Sequence, residues 1–187
     1  MKLHLFFIAS FVGLAGASAD LSAHSRMIGR SGSKASGTVQ FTDIDGGSVK
    51  VIYSLKNLPR NQTVGMHVHE MGDCSAKDAS SAGPHYVKME SGNGTSMDAP
   101  DHYAGDLPAV TADEMGRAKG SFIVPHLSVA GANAVSKRSI VIHDGPNNIN
   151  EPAAVRIACG VIVGPPVRIS DKTSAGVVAP PEPASTN

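Results

Sequence analysis

Stretches with the pattern of β-strands, some alternating between apolar and polar residues and some mainly apolar, recur through the middle of the chain. They are residues 38–42, 49–55, 119–124, 139–143 and 155–163. A period of two places the apolar side chains on one face of a β-strand. Asp45-Gly46-Gly47 separates the first two stretches and predicts a β-hairpin. No stretch has the pattern of an amphipathic helix, so the chain is predicted to be all-β, an antiparallel sandwich or barrel.

The two ends of the chain differ from this middle part. Residues 1–19 combine Lys2, an apolar run and a small-residue site at Ala17-Ser18-Ala19, the pattern of a signal peptide. We therefore expect a secreted or periplasmic protein. Residues 20–36 form an N-terminal lead-in, with either a weak first strand or a mobile segment. The barrel domain is predicted over residues 37–164, and residues 165–187, rich in Pro and Ala, are predicted to be a disordered tail.

Composition narrows the possible partners. The 16 Lys and Arg residues balance the 16 Asp and Glu residues, so the net charge predicts neither a nucleic acid nor a membrane partner. Trp is absent and aromatics make up 4% of the chain, which predicts a core of Val, Ile, Leu and Ala. In an exported chain, Cys74 and Cys159 are most simply explained by one disulfide. Two free thiols or two metal ligands are the alternative.

Histidines suggest a metal site. His67 and His69 alternate along a strand and therefore share one face, and imidazole nitrogens bind copper and zinc well. A His-rich strand end without a ligand is the alternative. His143 ends an apolar strand, where a lone His is more often structural, and His126 suits a surface or capping role.

Residues 71–109 lack apolar periodicity, which predicts a long functional loop. This loop contains His85, His102 and Asp106.

Taken together, these segments give the chain a family resemblance. Residues 65–74, 81–85, 105–108, 139–143 and 156–162 resemble, in order, the motifs of the Cu/Zn superoxide dismutases. The resemblance covers roughly residues 37–163. It implies a Greek-key β-sandwich or barrel of about eight antiparallel strands with long functional loops. It also implies an enzyme that converts two superoxide anions and two protons to dioxygen and hydrogen peroxide, with copper alternating between Cu(II) and Cu(I).

The resemblance also assigns roles to individual residues. It makes His67, His69, His85 and His143 the copper ligands. It makes His85 and Arg156 the catalytic residues, with Arg156 guiding the superoxide anion. It pairs Cys74 with Cys159 in the disulfide that ties the long loop to the last strand.

The chain departs from the family pattern at the zinc site. The family uses the copper-bridging His, two further loop histidines and an Asp. Here Asp106 and His85 match, but residues 86–101 contain no His, and His102 stands one residue before the family position, which holds Tyr103. Asp98 or Asp101 are possible substitutes. The expected cofactors are therefore copper and, at an incomplete site of His85, His102 and Asp106, possible zinc.

A second departure lies before the last strand. The segment from Asp144 to Val155 is shorter than the corresponding loop of the family. Asn147 stands near the position where the family has an Asp that links the metal ligands through hydrogen bonds. Residues 150–154 replace the Gly-rich stretch that precedes the active-site arginine in the family, which is Arg156 here. Both departures resemble the copper-only superoxide dismutases.

An exported copper-binding or storage protein on the same scaffold, without turnover, is the alternative function. A catalytically silent structural relative is a third reading, against which the intact histidines argue. Arg156 favours the enzyme, because a storage protein has no need of a cation beside the metal.

Overall fold

The computed structural model describes residues 21–44, 47–87, 104–125, 127–131, 134–146 and 154–165. They contain one 3₁₀ helix, η1 (Ser80–Ala82), and eight strands: β1 (Ser22–Gly29), β2 (Ser36–Ile44), β3 (Ser48–Lys56), β4 (Thr63–His69), β5 (Asp106–Thr111), β6 (Ala118–Pro125), β7 (Ser139–His143) and β8 (Arg156–Val163). The described residues include no helix long and apolar enough to cross a membrane. The predicted signal peptide and nearly all of the predicted tail lie outside them.

The strands form one sheet in the order β5-β4-β7-β8-β1-β2-β3-β6, and every neighbouring pair is antiparallel. The end strands β5 and β6 approach each other, so the sheet curls into a nearly closed barrel. β3 lies beside β6 and β4 lies beside β7, so the chain crosses between the two halves in a Greek key. The predicted all-β Greek-key barrel of about eight strands is confirmed.

The core is aliphatic, as the composition predicts. β3 turns Val49, Val51 and Leu55 inward, and β2 contributes Phe41; all four are at most 4% exposed. Burying one such side chain stabilises the fold by roughly 1.5–3 kcal/mol. The regular alternation of these strands therefore determines which of their faces is exposed.

The barrel begins earlier in the chain than residue 37, its predicted start. β1 lies within the predicted lead-in, residues 20–36, and pairs with both β2 and β8. Its inward residues are Ala23, Ser25 and Met27, all buried. Two of these are small and one is polar, so the hydrophobic alternation is weak in the sequence although the burial alternates regularly. The barrel therefore includes β1, which lies before residue 37.

The long loop predicted over residues 71–109 also ends earlier than expected, because β5 begins at Asp106. This strand pairs with β4, where His67 lies opposite Asp106. Only Leu107 and Val110 of β5 are fully buried, which leaves too little alternation to predict a strand from the sequence. The edge strand β5 thus brings a carboxylate to the histidine-bearing strand.

β4 divides its side chains between the core and the outside of the barrel. Val64, Met66 and Val68 pack in the core, while His67 and His69 occupy the alternate positions. These alternate positions face away from the core, yet both histidines are at most 7% exposed. The outer face of β4 is therefore covered, and the segment that follows β4 supplies the cover.

Candidate metal centre

Four histidines come together on this outer face. His67 and His69 lie on β4, His143 lies on the neighbouring β7, and His85 comes from the loop and forms an isolated β-bridge with His69. One ring nitrogen from each lies within 4.8 Å of the others. His67, His69 and His143 are buried, and His85 is the most accessible, with 26% of its side chain exposed. No other group of three or more potential ligands occurs in the described part of the chain.

Hydrogen bonds at the far side of three rings orient them. Nδ1 of His69 lies 2.9 Å from the Gly83 carbonyl, and Nδ1 of His143 lies 3.2 Å from the Ala154 carbonyl. Nδ1 of His85 lies 3.2 Å from Oδ1 of Asp106. Carbonyl and carboxylate oxygens only accept, so Nδ1 donates in each case and Nε2 keeps its lone pair.

The remaining nitrogens face one another. Nε2 of His69 and Nε2 of His143 are 3.2 Å apart, and Nδ1 of His67 lies 2.8 Å from Nε2 of His85. The donor set is therefore three Nε2 atoms and one Nδ1 atom. Four imidazoles without a thiolate suit copper, since imidazole is a good ligand for this metal. The residues present fit a copper ion.

Burial keeps two of these ligands unprotonated. Desolvation lowers the pKa of His69 to about 3, against the opposing effect of its hydrogen bond to Gly83. Desolvation, followed by the charge of His67, lowers the pKa of His143 to about 3. Both imidazoles are therefore neutral at physiological pH, which is the form that binds a metal.

Backbone hydrogen bonds fix the position of His85 through its neighbour Tyr86. The Tyr86 N–H donates to the Val68 carbonyl at 2.9 Å, and the Gly105 N–H donates to the Tyr86 carbonyl at 2.9 Å. A Cβ on Gly105 would lie 2.3 Å from the Val68 oxygen, so only glycine fits between the two segments. Gly105 therefore places Asp106, the next residue, against His85.

Three side chains with no functional signal of their own in the sequence hold the loop to the barrel. The guanidinium carbon of Arg138 lies 3.5 Å from the centre of the Tyr86 ring, and Arg138 Nη1 donates to the Glu70 carboxylate. The other Glu70 oxygen accepts from the Val87 N–H at 3.0 Å. We call Glu70, Tyr86 and Arg138 the loop clamp. Their only signal in the sequence is adjacency: Glu70 follows His69 and Tyr86 follows His85.

A disulfide attaches the same loop at a second point. Cys74 and Cys159 are bonded, with Cα atoms 5.7 Å apart and a separation of 85 positions in sequence. Around the bond, Ala79, Ala82 and Val141 form a small buried cluster outside the main core. The disulfide predicted from the sequence is present, and it ties the loop to the outer face of β7 and β8.

Arg156 lies at the start of β8, opposite His143 in the strand register. Its Nη1 donates to the Ala79 carbonyl at 2.8 Å, which fixes the guanidinium. Burial lowers the pKa of Arg156, and the carboxylate of Asp78 opposes this effect. The positive charge of Arg156 in turn contributes to the lowered pKa of both His69 and His143. A fixed cation therefore stands beside the four histidines.

Only two of the predicted zinc ligands, His85 and Asp106, lie among the described residues. His85 and Asp106 are in direct contact, as described above. His102, Tyr103, Asp98, Asp101 and Asn147 lie outside the described residues, as does His126.

Comparison with known proteins agrees with this architecture. The family model described as copper/zinc superoxide dismutase matches residues 35–162. A protein of Yarrowia lipolytica named superoxide dismutase [Cu-Zn] is 38% identical over 144 residues, covering 71% of this chain and 92% of the relative. Proteins of the same name from Schizosaccharomyces pombe (35% identical, 71% and 92% covered) and Saccharomyces cerevisiae (34%, 68% and 88%) are also similar. The chain belongs to the copper/zinc superoxide dismutase family.

Proposed function

We propose that this protein is a copper-dependent superoxide dismutase, which converts two superoxide anions and two protons to dioxygen and hydrogen peroxide. The observation that carries the proposal is the convergence of four imidazole nitrogens within 4.8 Å, from His67, His69, His85 and His143. The chemistry that copper supplies when bound is the transfer of one electron at a time, between Cu(II) and Cu(I). The rest depends on side chains of the chain itself.

The hydrogen bonds to Gly83, Ala154 and Asp106 hold three rings with Nε2 toward the centre. Such partners of ligands typically change metal affinity or activity 10–100-fold when they are removed. Because the rings are fixed by neighbouring strands and a clamped loop, little reorganisation accompanies a change in the charge of the site. This rigidity suits a site that must serve two oxidation states.

Arg156 would attract the substrate. Superoxide is a small anion, and a fixed guanidinium beside the histidines provides a favourable potential at the entrance. Burial of part of Arg156 strengthens this potential, because less water screens the charge. A protein that only stores copper gains nothing from such a cation.

His85 would handle protons. It is the most exposed of the four rings, and its Nδ1 is held by the Asp106 carboxylate at 3.2 Å. Nε2 of the same ring faces the centre, 2.8 Å from Nδ1 of His67. His85 therefore connects the site to solvent.

Superoxide consumption by the copper-loaded protein tests this function against storage. We expect fast turnover in the unaltered protein and a rate about tenfold or more lower in Arg156→Glu, with copper still bound, since reversal of a steering charge acts on association. Arg60→Glu makes the same charge change at an exposed loop position and should leave the rate nearly unchanged. Stoichiometric copper without turnover would establish the storage protein instead.

We further propose that the centre does not require zinc. Of the predicted zinc ligands, only His85 and Asp106 lie among the described residues. Nδ1 of His85 already donates a hydrogen bond to the Asp106 carboxylate. The loop clamp and the disulfide attach the loop to the barrel by contacts that do not involve a zinc ligand. Metal analysis at full copper loading should find one copper and clearly less than one zinc per chain. One equivalent of each metal would contradict this proposal and leave the copper assignment intact.

A further inference from the structure

The barrel carries a second feature, on the half that lies away from the metal centre. The outward positions of β1, β2, β3 and β6 hold four basic residues, Arg26, Lys50, Lys56 and Lys119. All four are exposed, and no Asp or Glu occupies an outward position of these four strands. We call this surface the cationic sheet face. It is one-sided, although the chain as a whole has a formal net charge of +0.

The strand register sets the spacing of the cations. Arg26 lies opposite Thr38, Thr38 opposite Ser54, and Ser54 opposite Lys119, so one row across four strands has a cation at each end. Three strand spacings separate those ends by about 14 Å. Lys50 and Lys56 lie on one strand, about 20 Å apart. No ion pair to any of the four occurs among the described residues.

Aliphatic side chains lie between these cations. Ile28, Ile52 and Ile123 occupy outward positions and are 51%, 39% and 61% exposed. Ile123 lies directly opposite Lys50 in the register. Beside Ile28, an open depression of about 800 Å³ is lined by residues that include Arg26 and Lys56. Cations and exposed aliphatics therefore alternate over one continuous surface.

We propose that the cationic sheet face binds the surface of an anionic lipid bilayer. Basic side chains near such a surface gain from its negative potential, and interspersed aliphatics enter the boundary between headgroups and acyl chains. An anionic polysaccharide would use the cations and leave the isoleucines without a role. Nucleic acid would leave them equally unused. The bilayer is the partner that uses both kinds of side chain.

The position of this face on the barrel is compatible with activity. In the strand order, β1, β2, β3 and β6 form one half, and β4 and β7, which carry His67, His69 and His143, lie in the other. A protein bound through the cationic sheet face therefore keeps its metal centre toward solvent. The inference does not depend on the proposed enzymatic activity.

Sedimentation with lipid vesicles tests the proposal. The full copper-loaded protein should bind vesicles that contain phosphatidylglycerol and not vesicles of phosphatidylcholine alone, and raised salt should release it. Each cation contributes about fivefold to the partition, so Lys50→Gln should weaken binding about fivefold and Lys50→Gln/Lys119→Gln about 25-fold. Ile123→Ser should weaken it as well. Superoxide consumption should be the same in all three variants.

Lys137→Gln is the matched control, because Lys137 is an exposed cation shortly before β7, with its carbonyl against Gly72 in the loop after β4. Equal weakening by Lys137→Gln would overturn the proposal, since the face would then contribute nothing beyond general charge. Absence of binding to phosphatidylglycerol vesicles would overturn it directly. Tight binding to dextran sulfate that Ile123→Ser leaves unchanged, without vesicle binding, would assign the face to a soluble polyanion. Loss of the face to self-association, seen by sedimentation of the free protein, would also contradict it.

Discussion

Each imidazole of the metal centre depends on the group at its far nitrogen. Burial alone would keep the imidazoles of His69 and His143 neutral, but it would not determine the orientation of the rings. The carbonyls of Gly83 and Ala154 select one tautomer of each ring and so decide which nitrogen meets the metal. Asp106 does the same for His85. The ligand set is therefore determined by backbone positions as much as by the histidines.

The lowered pKa values of His69 and His143 predict how the copper-free protein responds to acid. Both values fall from 6.5 to about 3 on folding, so the unfolded chain binds more protons between these limits. Stability is then full above pH 6.5 and is lost as the pH falls toward 3, by up to about 2–3 kcal/mol for each imidazole by pH 4.5. Thermal unfolding of chelator-treated protein from pH 8 to pH 4.5 measures this loss.

Carboxylates titrate mostly below pH 4.5, so this window isolates the histidines. The variant His69→Gln/His143→Gln should show a flatter dependence of the melting temperature on pH. The same slope in the variant and in the unaltered protein would show that other groups are responsible.

The loop between β4 and β5 is attached to the barrel at several points that no single strand provides. Its first attachment is the loop clamp, where Arg138 joins Glu70 and stacks on Tyr86. The second is the Cys74–Cys159 bond with its small buried cluster. The third is the hydrogen bond from Arg156 to Ala79, which links the loop to the proposed substrate-guiding cation. These three attachments together hold the described part of the loop that carries His85 against the barrel.

Two arginine–carboxylate pairs of this chain allow a direct test of the clamp. Arg138 and Glu70 are 19% and 31% exposed, whereas Arg117 and Asp113 are 59% and 41% exposed. Arg138→Ala should lower the free energy of unfolding by about 1–3 kcal/mol. The substitution removes the arginine that pairs with the half-buried Glu70 carboxylate, and it exposes the face of the Tyr86 ring. Arg117→Ala should cost less than about 1 kcal/mol. Urea unfolding of both variants measures the difference.

Copper affinity provides a second readout for the same pair of variants. Arg138→Ala should weaken copper binding, since His85 is held next to Tyr86, and Arg117→Ala should not. If the two variants lose the same stability and the same affinity, the clamp is an ordinary surface ion pair and the loop is held by other contacts.

Across the whole molecule, the sequence predicted local features well and long-range ones only through family resemblance. The shared face of His67 and His69 follows from strand periodicity alone. His143 joins them because β7 pairs with β4, a contact between distant parts of the chain that no local pattern contains. β1 was expected only as a weak first strand or a mobile segment, because its inward side chains, Ala23 and Ser25, are small or polar. The four histidines of the proposed copper site could thus be named from the sequence, while their arrangement needed the fold.

Charge shows the same limit. Equal numbers of acidic and basic residues predicted no membrane partner, yet the strand register places Arg26, Lys50, Lys56 and Lys119 together on one half of the barrel. Net charge sums over the surface and cannot show which side each charge occupies. The proposed bilayer contact therefore rests on topology, and the expectation drawn from composition stays a prediction that the vesicle experiment tests.

The most direct test of the proposed function is the rate of superoxide decay per bound copper in the variant His143→Ala. Removal of this ligand should lower the rate by more than about 100-fold without unfolding the protein, because ligand loss exceeds the 10–100-fold cost of losing a ligand's partner. His24→Ala is the control, since His24 lies on the outer face of β1 away from the centre. It should retain full activity. Near-normal superoxide decay in a folded His143→Ala variant would contradict the four-histidine copper site.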